Sequence, residues 1–257
     1  MSLADVPSLA ALFPEIPWQQ LLLSWFAVAI GALVQGTIGF GIALIAAPML
    51  LIIHPPLVPG PLMLATFFLT TLTWWRERAG VHWPDIPSAL VGRFAGTLAG
   101  TYAMVSLPAD ILITSMGLLI VLAALLSGTT RPFQPSSSLL LWAGLLSGIM
   151  GTMTAAGGPP MLLAYQHTPG PRMRATLGAF FSIGIILSLT SLATVQRFGA
   201  AEILMGLSFV PPIIVGFLLS NSTIHRINRE RVRNLALTLS AGSGLLIVLK
   251  SLAVRIF

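Results

Sequence analysis

Two long apolar stretches are each interrupted by a run of small and polar residues, and no other feature limits the fold so tightly. The first interruption is Gln35-Gly36-Thr37-Ile38-Gly39-Phe40-Gly41, ahead of Pro48. The second is Ser147-Gly148-Ile149-Met150-Gly151-Thr152, running into Gly157-Gly158-Pro159-Pro160. Around them stand uninterrupted apolar runs such as Leu21–Val34, Ile111–Leu126 and Ile183–Val195. The chain is 56% hydrophobic and only 8% charged, whereas an ordinary soluble domain carries about 25% charged residues. Such a sequence reads as an all-α integral membrane protein. In lipid, a helix break frees backbone N–H and C=O groups that only protein or a hydrated cavity can satisfy. Each break is therefore a candidate binding site.

Charge and side-chain chemistry narrow the functional classes. The net charge of +6 comes from twelve arginines and one lysine, several of them in short stretches between apolar runs. The positive-inside rule accounts for such arginines, so a nucleic-acid partner is not needed to explain them. The absence of cysteine excludes disulfides, thiolate metal sites and cysteine nucleophiles. His54, His82, His167 and His225 show no ligand spacing, so no metal or cofactor is expected. Hydrolytic chemistry needs a carboxylate pair, a metal cluster or a base beside a nucleophile. Both glycine-rich units lack Asp, Glu and His between Gly31 and Ile53 and between Gly144 and Tyr165, and the chain is not expected to be an enzyme. Met1–Pro17 has no basic residue, which argues against a cleaved signal peptide and for a retained first span.

Internal repetition organises the rest. Pro48-Met49-Leu50 aligns with Pro160-Met161-Leu162 at an offset of 112 residues, and the same offset superposes Gly36 on Gly148, Gly39 on Gly151 and Pro59 on Pro171. Near the ends of the halves, Gly117–Leu122 recurs as Gly244–Leu249. These matches predict one membrane domain over 1–257, with repeat one about 18–127, a linker 128–138 and repeat two about 139–254. About eight full spans are expected, plus two short segments, Ile42–Ile53 and Met161–Tyr165, that either cross, giving ten crossings, or re-enter. With ten crossings, Arg76, Arg78, Arg131, Arg172, Arg174 and the Arg226–Arg233 loop share one side, which the positive-inside rule makes cytoplasmic. Five passes per half also invert the second repeat, as in secondary transporters.

The site reading follows from the breaks. Helix pieces starting after Gly41 and after Gly158 would present unpaired N–H groups and a positive dipole end inside the membrane, a ready anion site. The expected substrate-binding set is Gln35, Gly36, Thr37, Gly39, Gly41, Gly151, Thr152, Thr154, Gly157 and Gly158. The competing reading is that the glycines serve helix packing and the hydroxyls bond back to their own helices. Arg93 joins the set because it lies inside the span beginning near Ile86, where a charge needs a partner, a cavity or a route to the surface. It either meets the anion or snorkels to the headgroups. Gly92, Gly96 and Gly100 line one face of the same span and favour close helix contact. His54 closes the first broken unit; it is either proton-linked or a plain interfacial histidine.

The run Gly31-Ala32-Leu33-Val34-Gln35-Gly36-Thr37-Ile38-Gly39-Phe40-Gly41 with Ala46-Ala47-Pro48, and its partner Gly144–Gly151 with Gly157–Pro160, resemble the paired signatures of the sulfite exporter TauE/SafE family. The resemblance extends from about Trp18 to Leu252. It implies an inner-membrane permease for small anions, often sulfur-containing, such as sulfite or sulfonates. An anion channel and a lipid-phosphate enzyme are the rival classes. The expected partners are a small anionic substrate and membrane lipid, with anionic lipid a secondary partner of Arg226–Arg233; homo-oligomerisation is left open by the sequence.

Overall fold

The computed structural model describes residues 16–38, 41–128, 135–165, 168–223 and 229–256, and their regular elements are all helical. Eleven α-helices follow one another among these residues: α1 Trp18–Ile38, α2 Ile42–Ile53, α3 Gly60–Arg76, α4 Ile86–Ser106, α5 Ala109–Gly128, α6 Ser137–Thr154, α7 Gly158–Tyr165, α8 Gly170–Thr194, α9 Ala200–Ser208, α10 Val210–Thr223 and α11 Arg229–Ile256. Among the described residues, six stretches are long and apolar enough to cross a membrane: Trp18–Thr37, Pro55–Arg76, Ala109–Ser127, Ser137–Thr154, Gly170–Thr194 and Ala200–Ser220. The chain is thus a multi-pass α-helical membrane protein. Helix α4 has 21 residues but is not among the six; Arg93, three glycines and two threonines dilute its apolar content. Helix α11 contains the shorter apolar segment Leu237–Leu252.

The breaks are narrower than the glycine-rich runs suggest. Helix α1 continues through Gln35, Gly36 and Thr37, and α6 continues from Ser147 to Thr154. A glycine inside a helix costs about 1 kcal/mol relative to alanine, and here close packing offsets it. A β-carbon on Gly36 would collide with the Ser220 side chain of α10, and one on Gly148 would press on the Arg93 carbonyl oxygen of α4. The first break turns at Gly41, whose φ of 119° suits glycine alone. The second turns at Ala155, φ 61°, whose N–H bonds the Gly151 carbonyl oxygen. Gly39, the linker residues 129–134, Gln166, His167 and Arg226 lie outside the described residues. Helices α10 and α11 extend into the expected loop, so Arg229, Arg231 and Arg233 stand in the first turns of α11.

Close contacts define the helix directions. Gly92, Gly96 and Gly100 of α4 face Leu141, Leu145 and Ile149 of α6, so these two helices run parallel. Helix α10 lies parallel on α1 in the same way, with Gly216 against Ala29 and Leu33 and Ser220 against Gly36. By contrast α3 and α8 are antiparallel: Thr70 meets Ser182, Trp74 meets Gly178 and Glu77 meets Arg174. So are α5 and α11, where Thr114 meets Ser251 and Val121 meets Gly244. The two similar hexads therefore pack on each other, each glycine of the Gly117–Gly244 pair facing the other's carbonyl.

One end of the bundle collects arginine. Glu77 accepts from Nε and Nη2 of Arg174 at 2.7–3.1 Å, and Gly80 packs on Arg172. Arg76 and Arg78 flank that pair in sequence, with Arg76 over the Phe217 ring and Arg78 over Trp75. Helix α7 returns to this end, where the Tyr165 hydroxyl donates to Asp85 Oδ2 at 2.8 Å, beside the start of α4.

Candidate functional site

Helices α1 and α6 each fold back at their C-termini, so the first residues of α2 and α7 are brought inward. Gln35 makes the first return specific: its Oε1 accepts from the Ile42 N–H at 3.1 Å, capping α2 from α1. A β-carbon on Gly31 would press on Ile42, so the two limbs are in close contact. In the second return, Thr154 Oγ1 accepts from the Ala156 N–H at 3.1 Å and donates to Met150 O. Gly157 is thereby folded against the Ser147 carbonyl oxygen and Gly151.

Between these ends lies a cavity of about 50 Å³. It is lined by Gln35, Gly41, Ile42, Ala43 and Leu44 from the first unit and by Gly151 and Ala155–Pro159 from the second. Arg93 of α4, Met63, Thr66 and Thr70 of α3, and Phe181 and Ile185 of α8 complete the wall. On the measure in which one water needs about 10–15 Å³, this space holds a few waters or one small oxyanion.

Arg93 is 2% exposed and does not snorkel. Nη1 donates to the carbonyl oxygen of Ser147 and, at 2.9 Å, to its Oγ; Nη2 donates to Ser188 Oγ at 3.2 Å and Gly184 O at 3.4 Å. Nε has no hydrogen bond. Three glycines make room for the guanidinium: a β-carbon at Gly151, Gly157 or Gly184 would lie 2.5, 2.6 or 2.8 Å from its nitrogens. These acceptors are neutral. They satisfy N–H groups without cancelling the charge, and no carboxylate among the described residues pairs with Arg93. An uncompensated buried cation favours an anion in the adjoining space.

The two helix ends are not equivalent as donors. In α2 the Ile42 N–H is taken by Gln35, which leaves Ala43 and Leu44, both lining the cavity. In α7 the second and third residues are Pro159 and Pro160, which have no N–H. The second end therefore offers fewer donors than its glycine-rich approach suggests.

Of the residues expected from the sequence, Gln35, Gly41, Arg93, Gly151, Gly157 and Gly158 meet at this cavity. Gly36 packs on α10, and Thr37 bonds back to Leu33 O at 2.7 Å. Thr152 bonds Ser188 Oγ at 2.9 Å, beside Arg93 rather than in the cavity. Thr154 caps the second return, and His54 caps the far end of α2 through its backbone N–H. Thr66, Thr70, Phe181 and Ile185 had not been expected. Thr70 and Ser182 share a 3.1 Å hydrogen bond and stand 112 residues apart, the offset of the two prolines; equal offset alone does not imply contact, so the sequence did not single out that pair.

A further group sits at the arginine-rich end. His82 Nδ1 lies 3.0 Å from Asp85 Oδ2 but is not aligned for a hydrogen bond, and Tyr165 donates to the same oxygen. No cluster of three metal-ligating side chains occurs among the described residues.

Comparison with curated proteins and with solved structures finds no match. The family model described as Sulfite exporter TauE/SafE matches residues 24–247, which include both breaks, Arg93 and the whole cavity wall. That is a family of membrane transporters and exporters of sulfur-related anions. A match over most of the chain, on a multi-pass helical bundle, places this protein in the TauE/SafE family.

Proposed function

We propose that the chain is a secondary transporter for a small, sulfur-containing oxyanion, sulfite, a sulfonate or a related organic acid, held in the central cavity and moved by alternating access. One observation carries the reading: the N-terminal ends of α2 and α7 and the uncompensated Arg93 guanidinium border one small cavity. The anion is received by the Ala43 and Leu44 N–H groups and the Gln35 amide NH2, under the positive potential of Arg93. Thr66 and Thr70 form wall only, their hydroxyls donating to the Leu62 and Phe67 carbonyl oxygens of their own helix.

The architecture proposed with it is a pair of inverted repeats, 18–127 and 139–254, in an inner membrane. It has eight full spans, α9 and α10 counting as one, and α2 and α7 as shorter returning limbs. Support comes from the antiparallel pairing of α3 with α8 and α5 with α11, since corresponding helices of inverted halves run in opposite directions. Support also comes from Arg76, Arg78, Arg172 and Arg174 at one end, the cytoplasmic end on the positive-inside rule, where the Arg226–Arg233 segment also belongs.

The test is a thermal-shift series on purified protein with sulfite, sulfate, thiosulfate, methanesulfonate and acetate. Ligand that binds only the folded state raises stability by about 2.7 kcal/mol at a hundredfold excess over Kd. At least one sulfur oxyanion is expected to raise the midpoint in wild type and to do so far less in Arg93→Gln. A midpoint moved only by cations or neutral solutes refutes the reading.

A further inference from the structure

A second cavity, of about 400 Å³, lies between the C-terminal half of α2 and the antiparallel α5–α11 pair. It is separate from the central one. Its wall is apolar, built from Leu51, Ile52, Ile113, Leu246 and Ile247. Ile52 is 53% exposed and Leu246 60% exposed, so the groove opens on the outer surface of the bundle.

One end of this groove is polar. Asp110 stands one turn before Ile113 toward the start of α5, and Lys250 and Ser251 stand one turn beyond Leu246 and Ile247 toward the end of α11. Ser251 holds the helix ends together, donating to the Asp110 carbonyl oxygen at 3.2 Å and sharing a 2.6 Å hydrogen bond with Thr114. Lys250 is the only lysine of the chain. It makes no salt bridge among the described residues.

In a bilayer, an open apolar groove with a cation at its helix-end rim matches a lipid in two respects. The hydrocarbon wall takes a chain that water would not fill, and an interfacial ammonium attracts phosphate. We propose that this groove binds a glycerophospholipid, one acyl chain along Leu51, Ile113 and Leu246 and the phosphodiester at Lys250. A diacylglycerol satisfies the wall but not Lys250, and free phosphate satisfies Lys250 but not the wall.

Native mass spectrometry of the detergent-solubilised full chain distinguishes these sources, with dioleoyl phosphatidylethanolamine, dioleoylglycerol and inorganic phosphate as probes. One phosphatidylethanolamine adduct is expected on wild type. Lys250→Gln should weaken it about fivefold, the effect of one cation near the headgroups. Ile113→Trp or Leu246→Trp, which fill the groove from exposed positions, should remove it. The central cavity is untouched by these variants, so an unchanged anion-induced thermal shift shows that each is folded. The inference is overturned by equal retention of dioleoylglycerol, by competition from phosphate alone, by indifference to Lys250→Gln, or by a dimer that the tryptophan variants dissociate.

Discussion

At the scale of single residues, Arg93 shows how hydrogen bonding and charge compensation come apart. Its Nη groups are satisfied by Ser147, Ser188 and Gly184, yet its charge has no acidic partner among the described residues. Replacing it with glutamine keeps some of those bonds and removes the charge. Transport should fall about 10–100-fold, the worth of a charged hydrogen bond, in a proteoliposome flux assay. Arg93→Lys should not restore it, because one ammonium cannot span Ser147 and Ser188 as the planar guanidinium does. A second prediction concerns a glycine beside it. Gly151→Ala puts a methyl group on the guanidinium and on no backbone atom nearer than it, so it should abolish the anion-induced thermal shift while the protein still purifies as a folded species. The sequence displayed Arg93 as a charge in an apolar run. Its partners were not legible, because Ser147 and Ser188 are ordinary helix residues until three helices converge.

At the scale of elements, α4 and α6 approach so closely that backbone touches backbone. A β-carbon at Gly92 or Gly96 would collide with the Leu141 or Leu145 carbonyl oxygen, and a helix backbone cannot move aside as a side chain does. Gly92→Val should destabilise by at least about 1–3 kcal/mol, the usual cost of overpacking. Gly242→Ala in α11, where nothing lies within 4 Å, should instead be neutral or stabilise by up to about 1 kcal/mol. Thermal melts of the two variants in one detergent make the comparison. Helix α7 offers a further test. With only eight residues, it is tied at its far end by the Tyr165 to Asp85 bond. Tyr165→Phe should cost about 1 kcal/mol locally, seen as faster hydrogen exchange over 158–165. The glycine spacing of α4 announced a packing face, and that face exists. The glycines of 35–36 and 147–151 looked instead like breaks, because a glycine that ends a helix and one that lets another helix approach are identical in sequence.

At the scale of the whole molecule, the antiparallel pairing of α3 with α8 and of α5 with α11 bears on topology. The absence of cysteine makes this directly measurable. Single cysteines placed at Ala79 and Arg172 should react with an impermeant thiol reagent from the same side of intact cells, and one at Arg197 from the opposite side. Labelling of all three from one side would remove the inverted arrangement. Composition and long apolar runs were enough to determine a helical membrane protein, since the cost of unpaired backbone in lipid leaves a continuous apolar chain few other forms. The 112-residue offset and the glycine-rich pair also pointed to two related halves and to the family. Tertiary structure alone decided where the helices stop, which glycines pack and which turn, and that Thr66 and Thr70 of α3 and Phe181 of α8 complete the cavity wall. Those outcomes depend on contacts between residues far apart in the chain, and a local sequence window carries no record of them.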